Sequence, residues 1–293
     1  MYVDRYITCT NKDGVSVTFG ERAMTPFLLI DVAGIYEVAN NVTISENTMS
    51  DGGTYQGSVA KIRNIVLTVK DEKNHVYNRN LMRALFKSGE AGELVFHEDE
   101  NDLKIEYLVE TMNSTGEFGP RTYTVSLLCP DPFFYALEDI TVYMAAWFSS
   151  FTFPHNFIVS GEELGYRSSS RLQQITNENA ADGIGMDIQI KANGTVTNPT
   201  ITHVERNESI TVGTSTKPLE MEAGDVLRIT TSDNDKHVYL THESVTEEIN
   251  EYLTEESVFI QLMRGSNSIG YDADVGVDNM VVQITYRLKY AGA

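Results

Sequence analysis

Asp102-Leu103-Lys104-Ile105-Glu106-Tyr107-Leu108-Val109-Glu110 alternates with a period of two. Leu103, Ile105, Tyr107 and Val109 fall on one face, and four of the other five side chains are charged. That pattern is a β-strand with one buried and one solvated face, the signature of antiparallel pairing. Two further stretches repeat it. In Thr122 to Cys129, Tyr123, Val125, Leu127 and Cys129 oppose Thr122, Thr124 and Ser126. Near the C-terminus, Val282, Ile284, Tyr286, Leu288 and Tyr290 oppose Gln283, Thr285, Arg287 and Lys289. The chain therefore reads as mainly β.

One helix stands out. Asn78 reads as its N-cap, Leu81, Met82, Leu85 and Phe86 form an apolar stripe, and Gly89 stops it. It follows a strand over Ile65 to Val69 and the turn Asp71-Glu72-Lys73-Asn74. Val245 to Leu253 reads as a weak second helix or a polar loop. Pro130-Asp131-Pro132 marks a change of direction and a domain boundary, because two prolines at that spacing cannot both continue a central strand. An aromatic cluster follows: Phe133, Phe134, Tyr135, Tyr143, Trp147, Phe148, Phe151 and Phe153. Beyond residue 160, short strands alternate with turns at Asn193-Gly194, Ala223-Gly224-Asp225 and Asp233-Asn234-Asp235, the rhythm of a β-sandwich.

Length and charge bound the function. The 293 residues suit two domains, and 41 % apolar content supports packed cores. The net charge of −20 divides into −9 over residues 1–140 and −11 over 141–293. Neither half offers the clustered Lys and Arg that hold phosphate, which speaks against sequence-specific nucleic-acid binding and docking on anionic lipid. Cys9 and Cys129, 120 positions apart, read as buried thiols of a reducing compartment rather than a disulfide. The N-terminus has neither the basic region nor the apolar core of a signal peptide, so the Asn-x-Ser/Thr matches at Asn41, Asn113, Asn193 and Asn207 read as chance. Residues 141–161 carry no charge, yet Ser149, Ser150, Thr152, Pro154, His155 and Asn156 interrupt them, which does not make a membrane helix.

Catalytic patterns are missing. There is no Gly-x-Ser-x-Gly elbow and no phosphate-binding Gly-x-x-x-x-Gly-Lys. Gly183-Ile184-Gly185 starts like a dinucleotide motif, but Ile188 stands where the third glycine belongs, so it reads as a loop. His75, His97, His155, His203, His237 and His242 form no ligand set. Of the acidic turns, Asp99 to Leu103 puts a leucine at a ligand position and lacks the sixth-position glycine of a calcium loop, while Asp272 to Asp278 has Gly276 at the fifth place and no closing glutamate, so both read as solvated turns. Trp147 is the single tryptophan and sits in an apolar segment, a core position rather than a sugar platform. No residue is singled out as catalytic, cofactor-binding or metal-ligating.

The stretch Tyr123-Thr124-Val125-Ser126-Leu127-Leu128-Cys129-Pro130-Asp131-Pro132-Phe133-Phe134-Tyr135 resembles the junction between the two domains of distal tail proteins of long-tailed bacteriophages. Asp51-Gly52-Gly53, Lys61-Ile62-Arg63 and Arg79-Asn80-Leu81 follow the family's order. So do Asn193-Gly194-Thr195 with Pro199, Gly224 to Ile229, Ser257 to Asn267 and Ile284 to Arg287, while residues 138–182 match no pattern of the family. The resemblance implies an N-terminal β-sandwich with one α-helix and a hairpin, followed by a galectin-like β-sandwich. It places a ring-forming domain at 1–135 and the second domain at 136–293, starting within 136–182. It further implies a noncatalytic hub of a tail tip or baseplate, without a cofactor. Its partners would be copies of itself in a hexameric ring, the tail-tube protein, a tail-associated hub protein and receptor-binding or baseplate proteins. DNA would pass through the ring without specific binding, no membrane would be involved, and the hub would join the virion tail after assembly in the host bacterial cytoplasm. The competing reading is a carbohydrate-binding adsorption module for cell-wall sugars. Ring contacts are not assigned from the sequence.

Overall fold

The computed structural model describes residues 5–20, 25–46, 51–71, 74–99, 101–116, 120–149, 165–169, 171–178, 180–181 and 183–293. The chain is mainly β, with one α-helix among the described residues. It divides into two compact units, Met1–Leu137 with Lys289–Ala293, and Glu138–Leu288.

The first unit contains β1 (Arg5–Asn11), β2 (Ser16–Gly20), β3 (Phe27–Ala33), β4 (Asn40–Glu46), β5 (Gly53–Ala60), β6 (Arg63–Asp71), α1 (His75–Leu85), β7 (Ala91–Glu98), β8 (Asn101–Thr115), β9 (Thr122–Cys129) and β10 (Phe134–Ala136). Nine strands form one sheet in the order β23-β10-β8-β7-β1-β2-β3-β6-β9, where β23 is Lys289–Tyr290, and β8 also pairs with β9. The alternation read from sequence sets the faces. Ile105, Tyr107 and Val109 of β8 and Tyr123, Val125, Leu127 and Cys129 of β9 are buried, joined by Ile65, Leu67 and Val69 of β6. Pairing is antiparallel except for the single parallel bridge Gly20↔Leu28. Met82 and Leu85 from α1 and Phe86 at its C-cap complete this core.

Asn78 is not the helix cap. The helix starts at His75 after Asn74, whose φ of 55° lies in the left-handed region, and Asn78 is buried one turn in, donating from Nδ2 to the Pro26 carbonyl at 3.4 Å. Asparagine suits the first place because it tolerates positive φ, and the second because its amide can donate to a carbonyl that the fold brings close. Pro130-Asp131-Pro132 turns the chain as read. Asp131 closes the turn by accepting from the Phe133 N–H (3.1 Å) and the Tyr135 hydroxyl (2.6 Å).

The second unit contains β11 (Ile140–Ser149), β12 (Gly165–Ser169), β13 (Leu172–Asn177), β14 (Met186–Ala192), β15 (Val196–His203), β16 (Glu208–Thr211), β17 (Glu220–Met221), β18 (Val226–Ser232), β19 (Asp235–His242), β20 (Val245–Glu248), β21 (Gly265–Val275) and β22 (Met280–Tyr286). One sheet runs β12-β11-β22-β14-β18-β19-β20; the other runs β13-β21-β15-β16, with β17 on β15. The turns at Asn193-Gly194, Gly224-Asp225 and Asp233-Asn234 lie between strands as read. Val245 to Leu253 holds a strand, β20, and a 3-10 turn over Asn250–Tyr252, where cross-strand pairing to β19 overrides weak local helix propensity. The C-terminal alternation is also interrupted: β22 ends at Tyr286, and Lys289–Tyr290 pairs with β10 in the first unit. Residues 141–149 of the uncharged stretch are strand, and 150–161 lie outside the described residues. No helix among the described residues is long and apolar enough to cross a membrane.

Candidate assembly surface

Strands β4 and β5 belong to none of the three larger sheets and pair only with each other in a hairpin. β4 is exposed along its whole length and β5 along nearly all of it. Val42, Ile44, Tyr55 and Val59 are each more than half exposed. Ile44 sits opposite Tyr55, just past a bulge at Thr43, and the Lys61 N–H donates to the Ala39 carbonyl (2.8 Å) at the base. A two-stranded hairpin is marginal alone, and four large apolar side chains left in water mark a surface for another molecule. The tip, residues 47–50, lies outside the described residues.

What anchors the hairpin is a buried arginine. Arg63 is 4 % exposed and opens β6 immediately after the hairpin. Its Nη1 donates to the carbonyls of Gly34 (2.6 Å) and Ile35 (2.7 Å), just before the hairpin. Nε donates to Pro132 O (2.7 Å), Nη2 to Ala291 O in the C-terminal tail, and the guanidinium stacks 4.9 Å above Phe134. One planar fork of donors thus ties together four segments distant in sequence. Burial lowers the Arg63 pKa, and the four carbonyls replace the water its charge has lost. Gly34 is required beneath it: its φ is +84°, and a Cβ would lie 2.1 Å from the Asn64 carbonyl oxygen. The tail is held in turn by Lys289, whose Nζ lies 4.3 Å from the Phe133 ring centre.

Cys9 and Cys129 are buried and free, as read. Burial pushes both thiols up, Cys129 to about 12, so both are neutral and unreactive near pH 7. The histidines are dispersed on separate partners: His97 on Asp102 (2.8 Å), His203 on Asn267 (3.0 Å), His237 on Glu248 (2.6 Å) and His242 on Asp225 (2.7 Å). His155 lies outside the described residues. In the Asp272 to Asp278 turn, Asp274 accepts from Asn198 Nδ2 (2.7 Å) and Asp278 faces Arg171 (3.9 Å), so these carboxylates do not converge. Among the described residues no group of three or more His, Cys, Asp or Glu could hold a metal ion. Ile184 of the glycine pair bridges to Leu262 in a loop before β14. Trp147 lies in β11, with its side chain outside what is described; Phe151 and Phe153 lie outside the described residues altogether. Sequence reading missed the hairpin surface and the arginine. Alternating Val42 and Ile44 look like any half-buried strand, and Arg63 like any surface cation.

A solved structure with this fold is the SPP1 Dit (gp 19.1) protein, described as a paradigm of the hub adsorption apparatus in Gram-positive infecting phages. It matches at 14 % identity with a TM-score of 0.67, over 97 % of this chain and 99 % of that one. The phage P2 baseplate in its activated conformation is similar at lower levels, with calcium (10 % identity, TM-score 0.48) and with strontium (11 %, 0.47), each over the full length of both chains. No protein-family model matches the sequence, and no curated protein matches it.

Proposed function

We propose that this chain is a noncatalytic structural hub of a phage tail tip or baseplate, a distal tail protein. The observation that carries the reading is a fold shared with SPP1 Dit over nearly the whole of both chains. The first unit assembles the ring, six-fold by family resemblance, and the exposed hairpin β4–β5 is its contact element. The two sheets of the second unit form the galectin-like sandwich, which meets receptor-binding or baseplate proteins. The net charge of −20 suits a channel for DNA, since few cations are available to hold phosphate. No observation favours a sugar site.

Electron microscopy and light scattering of the purified chain test this. Closed rings, formed alone or on adding a tail-tube protein, are the expected result. A monodisperse monomer at high concentration, unchanged by that partner, would overturn the proposal.

A further inference from the structure

Helix α1 carries two arginines, Arg79 and Arg83, that no carboxylate answers among the described residues. His75, Arg79 and Arg83 recur every four residues along one side of the helix. Arg121 joins them through the strand beneath: its N–H donates to Asp71 Oδ1 (2.5 Å), and the Asp71 N–H donates back to the Arg121 carbonyl (3.0 Å). Asp71 is fully buried; His75 Nδ1 lies 3.0 Å from its Oδ2 but is not aligned for a hydrogen bond. The hydroxyl of Tyr123, a residue 1 % exposed, and Nε of Arg79 are buried without a hydrogen-bond partner among the described residues. Burial and then Asp71 raise the Tyr123 pKa, and the charges of Arg121, Arg79 and Arg83 oppose the shift. None of the three makes a salt bridge among the described residues, although the chain has 42 acids against 22 Lys and Arg. On the same helix, Val76 and Tyr77 are about two-thirds exposed.

The hairpin offers the complement. Besides Val42, Ile44, Tyr55 and Val59, it carries Glu46 and Asp51 beside its tip, both exposed. We propose that Arg79 and Arg83 of α1, with Arg121 just before β9, receive strands β4 and β5 of a second copy of this chain. Apolar side chains meet Val76 and Tyr77, and Glu46 and Asp51 meet the arginines. Because the two patches differ, the contact is head-to-tail, the kind that closes into a ring when its rotation divides the circle. This rests on the ring reading above and says which surfaces make the ring.

The test uses the full chain at low and high salt. Arg79→Glu with Arg83→Glu, and separately Glu46→Arg with Asp51→Arg, should each weaken self-association about tenfold or more, because like charges then face each other. Mixing the two variants should restore co-assembly. Arg83→Gln, at an exposed position, is the milder variant should the double change fail to fold. Chains bearing Tyr77→Cys and Ile44→Cys, mixed and oxidised, should form a mixed disulfide dimer. Wild-type rings that survive both charge reversals would overturn this contact and leave the ring reading standing. A wild-type chain that never associates would overturn both. Loss without rescue and without the mixed dimer overturns the pairing, and duplex DNA binding that depends on Arg79 and Arg83 would give the face to phosphate instead.

Discussion

Replacing Arg63 by alanine should destabilise the first unit by about 3–5 kcal/mol, the range for breaking up a buried, fully bonded charge. Four carbonyls lose their donor. Those of Gly34, Pro132 and Ala291 are in partly buried bonds, so water can compensate in part, whereas the bond to Ile35 is buried. Ile35 O keeps one weaker partner, the Ala293 N–H at 3.3 Å, and only while the C-terminal tail stays in place. The tail and Arg63 are therefore coupled. At about 2–4 °C per kcal/mol for a domain of this size, the transition should fall by about 10 °C. Arg63→Lys should recover less than half, because a single ammonium cannot span carbonyls placed for a planar fork. Thermal unfolding by circular dichroism, with deletion of residues 289–293 and the combined variant, completes a double-mutant cycle. The combined loss should be smaller than the sum of the separate ones. A melt within 2 °C of wild type for Arg63→Ala, or strictly additive losses, would refute the clasp.

Leu85→Ala should cost about 2–5 kcal/mol, since Leu85 is wholly buried where α1 meets the sheet; an unshifted melt would mean the stripe faces elsewhere. Gly34→Ala should destabilise the first unit, because the added Cβ meets the Asn64 carbonyl and the backbone is left-handed there; chemical denaturation would show it as a lower midpoint with unchanged slope. The hydrogen bond to Asp225, and then its charge, raise the His242 pKa above the ordinary 6.5. Its stabilisation is thus complete below about pH 6.5 and lost as pH rises through the folded value. Proton NMR should show that raised midpoint, and Asp225→Asn should bring it back; a midpoint at or below 6.5 in the intact chain contradicts the pair. Residues 1–135 expressed alone should still self-associate, but with a lower melting transition than the intact first unit, since they lack Ala291 and its bond to Arg63. Residues 136–293 should fold as a β-rich monomer, so an unfolded fragment by circular dichroism would refute the division.

Much of the local structure was legible because it depends on neighbours two to four residues away. Tyr123, Val125, Leu127 and Cys129 point one way because strand side chains alternate, and any sheet that buries one of them buries all four. The stripe Met82, Leu85 and Phe86 declares a helix by its spacing, and Asp131 between two prolines declares a turn. Order in space was not legible in that way. That β1 lies between β2 and β7, that β6 lies between β3 and β9, and that Lys289–Tyr290 returns to β10 are outcomes of long-range pairing with no local signature. Asn78 shows the limit at a single residue, since a cap and a buried helical amide use the same side chain, and only the Pro26 carbonyl decides between them. The surfaces proposed for assembly follow the same rule. Val42 and Ile44 alternate like core residues, and Arg63 and Arg83 are the same amino acid. The tertiary structure alone covers Arg63 with four carbonyls and leaves Arg83 and the hairpin open to solvent, because burial is a property of what packs against a residue rather than of the residue itself.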